Sequence, residues 1–145
     1  MLITPHAVLG ASIAAKIQNP FLVLSISFFS HYFLDLIPHW QETLYPYIPT
    51  KKTVIRTFFD LLISFVIVFF IAKDSKMPWL IWSAGVIANI PDLDTLISLN
   101  KKCLKFTPFK TYYNFHLKIQ RETGSLLGIL PQLFIVLLSL LFVFG

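Results

Sequence analysis

Two histidines and an aspartate stand inside SHYFLDLIPHW, residues 30–40, among Phe, Tyr, Leu, Ile and Trp. His31 and Asp35 are four positions apart. A helix puts both on one face, where a single divalent cation can take an imidazole nitrogen and a carboxylate oxygen together. Pro38 ends such a helix and frees His39 to turn back. The same residue types recur along the chain: His6, Asp60, Asp92 and Asp94 in NIPDLD, and His116 in YYNFHLKIQ. Ligation by His and Asp suits zinc first, with manganese or iron as alternatives, and there is no thiolate centre.

The elements that would carry these residues are apolar. The chain has 145 residues, of which 56% are hydrophobic and 13% charged; its mean hydropathy is +0.73. A soluble domain carries about 25% charged residues, so the class expected is an integral membrane protein of one domain, residues 1–145. A spanning helix needs roughly 20 residues. Four stretches reach that length: 20–38, 54–72, 77–97 and 124–145. A fifth, 5–17, is shorter and rich in small residues that allow close helix packing. The fold class expected is therefore all-α, a bundle of four to five transmembrane helices, with no strands. Residues 107–123 read as an additional interfacial helix, with Thr107 as its cap, that points His116 inward and is basic on its other side. The first stretch lacks a positively charged start, so it is read as retained and not as a signal peptide. The lone Cys103 cannot form an intrachain disulfide.

If all five stretches cross, the loops 39–56 and 98–123 share one face with nine of the 12 Lys and Arg residues, against three on the other face. The positive-inside rule then makes the nine-cation face cytoplasmic, with the N-terminus. The location expected is the cell membrane, multi-pass. The net charge of +5 is read as facing anionic lipid headgroups and not nucleic acid. In this topology every candidate falls near the cytoplasmic ends of the helices. A charge at the middle of a membrane helix costs roughly 2.5–3.5 kcal/mol, so such residues need partners, and a shared cation is one.

Each residue also has a plainer explanation. His31 and Asp35 can be a buried pair that fixes helix packing. His39–Trp40 and His6 fit the headgroup level, and His116 can meet phosphate headgroups. Asp92 can cap a short helix, and Asp60 can pair with Arg56 one turn away. A weak internal repeat favours convergence instead. PFLVLSISFFSH (20–31) and PWLIWSAGVIAN (78–89) share three of twelve positions and set His31 and Asn89 at the same offset, as two helix pairs around one centre would.

TPHAVLGA, HYFLDLIPH and IPDLD together resemble the membrane-bound metal-dependent hydrolases of bacteria and archaea. The resemblance covers most of the chain, including a short uncharacterised subgroup with a late histidine such as His116. It implies metal ligation at the matching positions, His6, His31, Asp35, Asp92 and Asp94. The larger members carry histidine-arginine and threonine-histidine-serine elements that are absent here. Residues and resemblance together give one expectation. His6, His31, Asp35 and Asp92 hold a divalent metal, Asp94 and His116 act as general base or acid, and His39, Asp60 and Asn89 are additional or supporting ligands. The substrate class expected is an anionic, lipid-linked phosphoester. A proton or ion relay and a non-catalytic scaffold are the alternatives.

Overall fold

A computed structural model describes residues 1–41, 50–98 and 103–145. The prolines at 46 and 49 and the basic residues Lys101 and Lys102 of the expected loops lie outside them. Among the described residues the regular elements are helices, without a strand: α1 (Ile3–Lys16), α2 (Pro20–Asp35), α3 (Lys51–Ala72), α4 (Pro78–Ile87), α5 (Leu93–Ser98), α6 (Thr107–Ile119) and α7 (Ser125–Phe144), with short 3-10 turns at Ile90–Asp92 and Cys103–Lys105.

Local chemistry sets the boundaries. Asn19 accepts a hydrogen bond from the Leu22 amide and Pro20 supplies the first helical φ, so α2 starts there. Thr50 caps α3 through the Thr53 amide in the same way. The span expected over 77–97 does not form as one helix. It stops after ten residues at Ile87, because the Asn89 amide turns back to the Gly85 carbonyl at 2.9 Å and Pro91 has no N–H with which to continue the ladder. The span expected over 20–38 is shortened to 16 residues ending at Asp35. The amphipathic helix expected over 107–123 ends at Ile119; the chain beyond it is extended and pairs with the segment after α2. That pairing runs His39 N–H to Arg121 O at 2.9 Å and Thr123 N–H to His39 O at 2.9 Å. Phe106, not Thr107, holds the cap position of α6.

Two helices, α3 and α7, are long and apolar enough to cross a bilayer, and only 17% of each apolar window is buried. A core helix of a soluble protein hides most of its surface. These two instead turn Phe58, Leu62, Phe65, Leu130, Phe134 and Leu141 outward.

The short helix α1 sits at the centre, in contact with α2, α3, α4 and α7. Val8 and Ala11 pack with Val23, Leu80, Ile81 and Ala84, all fully buried. The small residues of α1 explain its place: a methyl group on Gly10 would stand 2.7 Å from the Ala84 carbonyl oxygen, so the two backbones touch only because there is none. Gly128 does the same for α7. A side chain there would come within 2.6 Å of the His39 carbonyl carbon, so the bare backbone of α7 lets the His39–Trp40 segment lie against it. Gln132 closes that contact, donating to Trp40 O at 2.8 Å and accepting from the Leu2 amide at 2.9 Å.

Candidate metal centre

The start of α1, the end of α2, the turn after α4 and the last half of α6 meet at one end of the bundle. Asp35, the last residue of α2, stands in the middle. His31 lies one turn before it with Nε2 3.0 Å from Asp35 Oδ2. His116 reaches the same oxygen from α6, Nε2 to Oδ2 at 3.1 Å, and the two imidazole Nε2 atoms are 3.2 Å apart. Asp92, from the turn after α4, brings Oδ1 to 3.6 Å from His31 Nε2 and 3.9 Å from His116 Nε2. His31, Asp35 and His116 are fully buried; the Asp92 side chain is 24% exposed.

The outer ring nitrogens fix what the inner ones can do. His31 Nδ1 lies 2.7 Å from the Ala88 carbonyl, which only accepts, so Nδ1 carries the ring proton. His116 Nδ1 lies 2.8 Å from Asp94 Oδ2 and donates to it. In both neutral rings Nε2 is then a bare lone pair, and both lone pairs converge with a carboxylate oxygen at 3.0–3.2 Å. A cation between them would satisfy all three at once; the Gln120 amide reaches two of them only at 3.3 and 3.5 Å. A metal with bonds of about 2.1 Å sets tetrahedral donors roughly 3.4 Å apart, and the four donor atoms all lie within 4.8 Å of one another. His31, Asp35, Asp92 and His116 could therefore hold a metal ion.

Without a metal, a proton fills the role. Burial works against charge on His116, but its hydrogen bonds to Asp35 and Asp94 outweigh it and raise the ring to about 9. Burial also raises the Asp92 carboxyl above the usual carboxylate range, against the pull of His31. Tyr112 locks α6 in place, donating to Pro91 O at 3.2 Å with Tyr32 Oη at 3.1 Å; burial pushes its hydroxyl up, so it stays neutral.

Not all of the expected residues play the part assigned to them. His116, expected as an acid or base, brings Nε2 into the four-residue group. His6, expected there, stacks on His31 with ring centroids 4.0 Å apart and approaches the other Asp35 oxygen, Oδ1, at 3.4 Å. His39, at 4.0 Å from Oδ1, is on that side too. Asp94 points away from the centre and holds His116 in its tautomer, the task of an orienting carboxylate. Asp60 takes no part: it accepts from the Ile3 amide at 2.6 Å and the Thr4 hydroxyl at 2.6 Å, and so caps α1 from a neighbouring helix. Asn89 donates to its own helix. Gln120, whose amide nitrogen is 3.3 Å from His116 Nε2, and the Ala88 carbonyl carry no signal in the sequence that would single them out.

Replacing Asp94 by Asn removes the charge that fixes the His116 tautomer while keeping its size. Metal affinity should fall about 10–100-fold, read by competition with a chromogenic chelator, with helix content unchanged by circular dichroism.

No protein-family model, curated protein or solved structure matches the chain, and its chemistry is read from its own geometry.

Proposed function

We propose that this chain is a multi-pass membrane protein that holds a divalent cation, zinc first, and hydrolyses an anionic, lipid-linked phosphoester at the cytoplasmic face. The observation that supports this most is the convergence of one donor atom each from His31, Asp35, Asp92 and His116 within 4.8 Å of one another at a largely buried point. A cation bound there supplies Lewis acidity and an acidified water. Asp92 is the most exposed of the four, 24% against 0%, so it is the ligand that a catalytic water would have to displace.

Asp92 also borders a cavity of about 830 Å³ between α1, α3 and α4, lined mainly by apolar side chains such as Phe59, Ile63, Val68 and Trp82, with Arg56 on the wall. An apolar trough that ends at a cation site suits a lipid whose phosphate is the reacting group. Water oxygen would bond to phosphorus as the P–O bond to the lipid breaks, and the lipid would leave as its alcohol, taking up the proton that the water gives up. The likeness of TPHAVLGA, HYFLDLIPH and IPDLD to membrane-bound metal-dependent hydrolases points the same way.

In this reading α3 and α7 span the bilayer, and α1, α2 and α4 fill the bundle between them. The nine-to-three distribution of cations supports a cytoplasmic polar end. Asp60 is the tenth residue of α3 and meets the start of α1, so about 13 Å of α3 projects beyond that level. The site then opens below the headgroups, within reach of lipid.

Protein purified in mild detergent should retain zinc by elemental analysis and release inorganic phosphate from phosphatidic acid in mixed micelles; His31→Ala should do neither. Metal without turnover across a panel of lipid phosphates rejects the hydrolase. The second reading is a non-catalytic cluster that fixes helix register. It is favoured by the Met1 ammonium 2.9 Å from Asp35 Oδ1 and by the hydrogen bonds to Asp35 and Asp94 that raise His116's hold on a proton. Absence of metal from the wild type would select it.

A further inference from the structure

The carboxylate of Asp35 has two oxygens, and only Oδ2 faces His31 and His116. Oδ1 faces a second pair of imidazoles. His6 Nε2 is 3.4 Å away and His39 Nε2 is 4.0 Å away. Both side chains are fully buried. Neither Nε2 has a hydrogen-bond partner, a costly state for a buried polar atom. For His39 the tautomer is fixed: Nδ1 lies 2.8 Å from the Ile37 carbonyl and must donate, so Nε2 is a lone pair aimed at Asp35. The stacked rings of His6 and His31, 18° from parallel, direct their Nε2 atoms to different oxygens of one carboxylate.

A fourth donor stands beside them. The Gln41 side-chain amide donates to Gln120 and Glu122 at 2.6 and 2.7 Å, which turns its Oε1 inward. Gln41 Oε1 and Asp35 Oδ1 meet at the Met1 nitrogen, at 3.0 and 2.9 Å.

We propose that the centre is dinuclear, with Asp35 bridging one divalent cation held by His31, His116 and Asp92 and a second held by His6, His39 and Gln41. This rests on the first site being a metal site. The Met1 nitrogen yields Oδ1 to the second ion. Paired ions sit roughly 3.5–4 Å apart across such a bridge and clamp both the attacking and the leaving oxygen of a phosphoester, so the second site also fits the substrate class.

The test is stoichiometry. The full chain is stripped with a chelator, reloaded with Zn²⁺ and analysed for metal per chain. Two ions are expected in the wild type and one in His6→Ala and in His39→Gln; the second variant covers failure of the first to fold. One ion in the wild type, unchanged by either substitution, overturns the second site and leaves the first standing. No ion overturns both. Loading with Mn²⁺ tests the bridge: an exchange-coupled paramagnetic resonance spectrum is expected in the wild type and an uncoupled one in His39→Gln. Two ions without coupling would refute the Asp35 bridge.

Discussion

Asp35→Asn should leave the protein without retained metal, whereas Asp60→Asn should keep it. Asp35 presents Oδ2 to two imidazoles and Oδ1 to a third and fourth. An amide of the same shape removes the negative charge and one of the two acceptor atoms. Substitutions around a metal site that only orient a ligand cost 10–100-fold in affinity; loss of the shared ligand should exceed that and put metal below detection in a purified sample. The metal-free variant should also be less stable. It leaves the buried Met1 ammonium, 2.9 Å from Asp35 Oδ1, without its carboxylate, and breaking a buried pair costs about 3–5 kcal/mol. Asp60 makes the contrast because the two aspartates look alike in the sequence. Its oxygens meet the Ile3 and Thr4 amides and the Thr4 hydroxyl, so Asp60→Asn should lower the melting temperature through a weakened α1 start and leave the metal-to-chain ratio untouched. Elemental analysis and thermal unfolding in one detergent separate the two. Equal metal loss in both variants would mean that the metal binds elsewhere.

Much of this was legible in the residues themselves. The i,i+4 spacing of His31 and Asp35, the break at Pro38 and the sorting of His6, Asp92 and His116 to helix ends each follow from local rules, and all lead to one end of the bundle. The inward stripe of α6 correctly aimed His116. What local rules did not give is which nitrogen meets which oxygen. His116 joins the four-residue group and His6 stands beside it, because the choice depends on how α1 and α6 dock on α2, a tertiary matter. Asp94 meets His116 on its Nδ1 side instead of joining the four-residue group, for a related reason. It is two residues from Asp92, and in the short α5 after the turn that spacing points the two carboxylates apart. The 77–97 stretch reads as a span because hydropathy averages over Asn89 and Pro91, whereas the backbone stops at the first amide that can bond back to it.

Metal and pH should act on the protein in opposite directions. His116 has an ordinary value of 6.5 and stands at about 9 in the metal-free fold, where its bonds to Asp35 and Asp94 outweigh burial. A group raised on folding stabilises the fold fully below its unfolded value and loses that effect as pH passes its folded value. The metal-free protein should therefore lose stability between about pH 6.5 and 9, by an amount on the order of a few kcal/mol. The metal needs the lone pair that this proton covers, so the ion held by His31, His116 and Asp92 releases one proton when it binds below pH 9. Apparent affinity should then rise up to about tenfold per pH unit toward 9. Bound metal at 1,000 times its dissociation constant adds about 4 kcal/mol, enough to cancel the slope. Melting curves taken at fixed free Zn²⁺ and with chelator should diverge as pH rises from 6.5 to 9, the chelated sample falling while the zinc sample holds. Parallel curves would mean that a proton and not a metal is what His31, His116 and Asp35 are built around, and the register-fixing cluster would then be the correct account of this site.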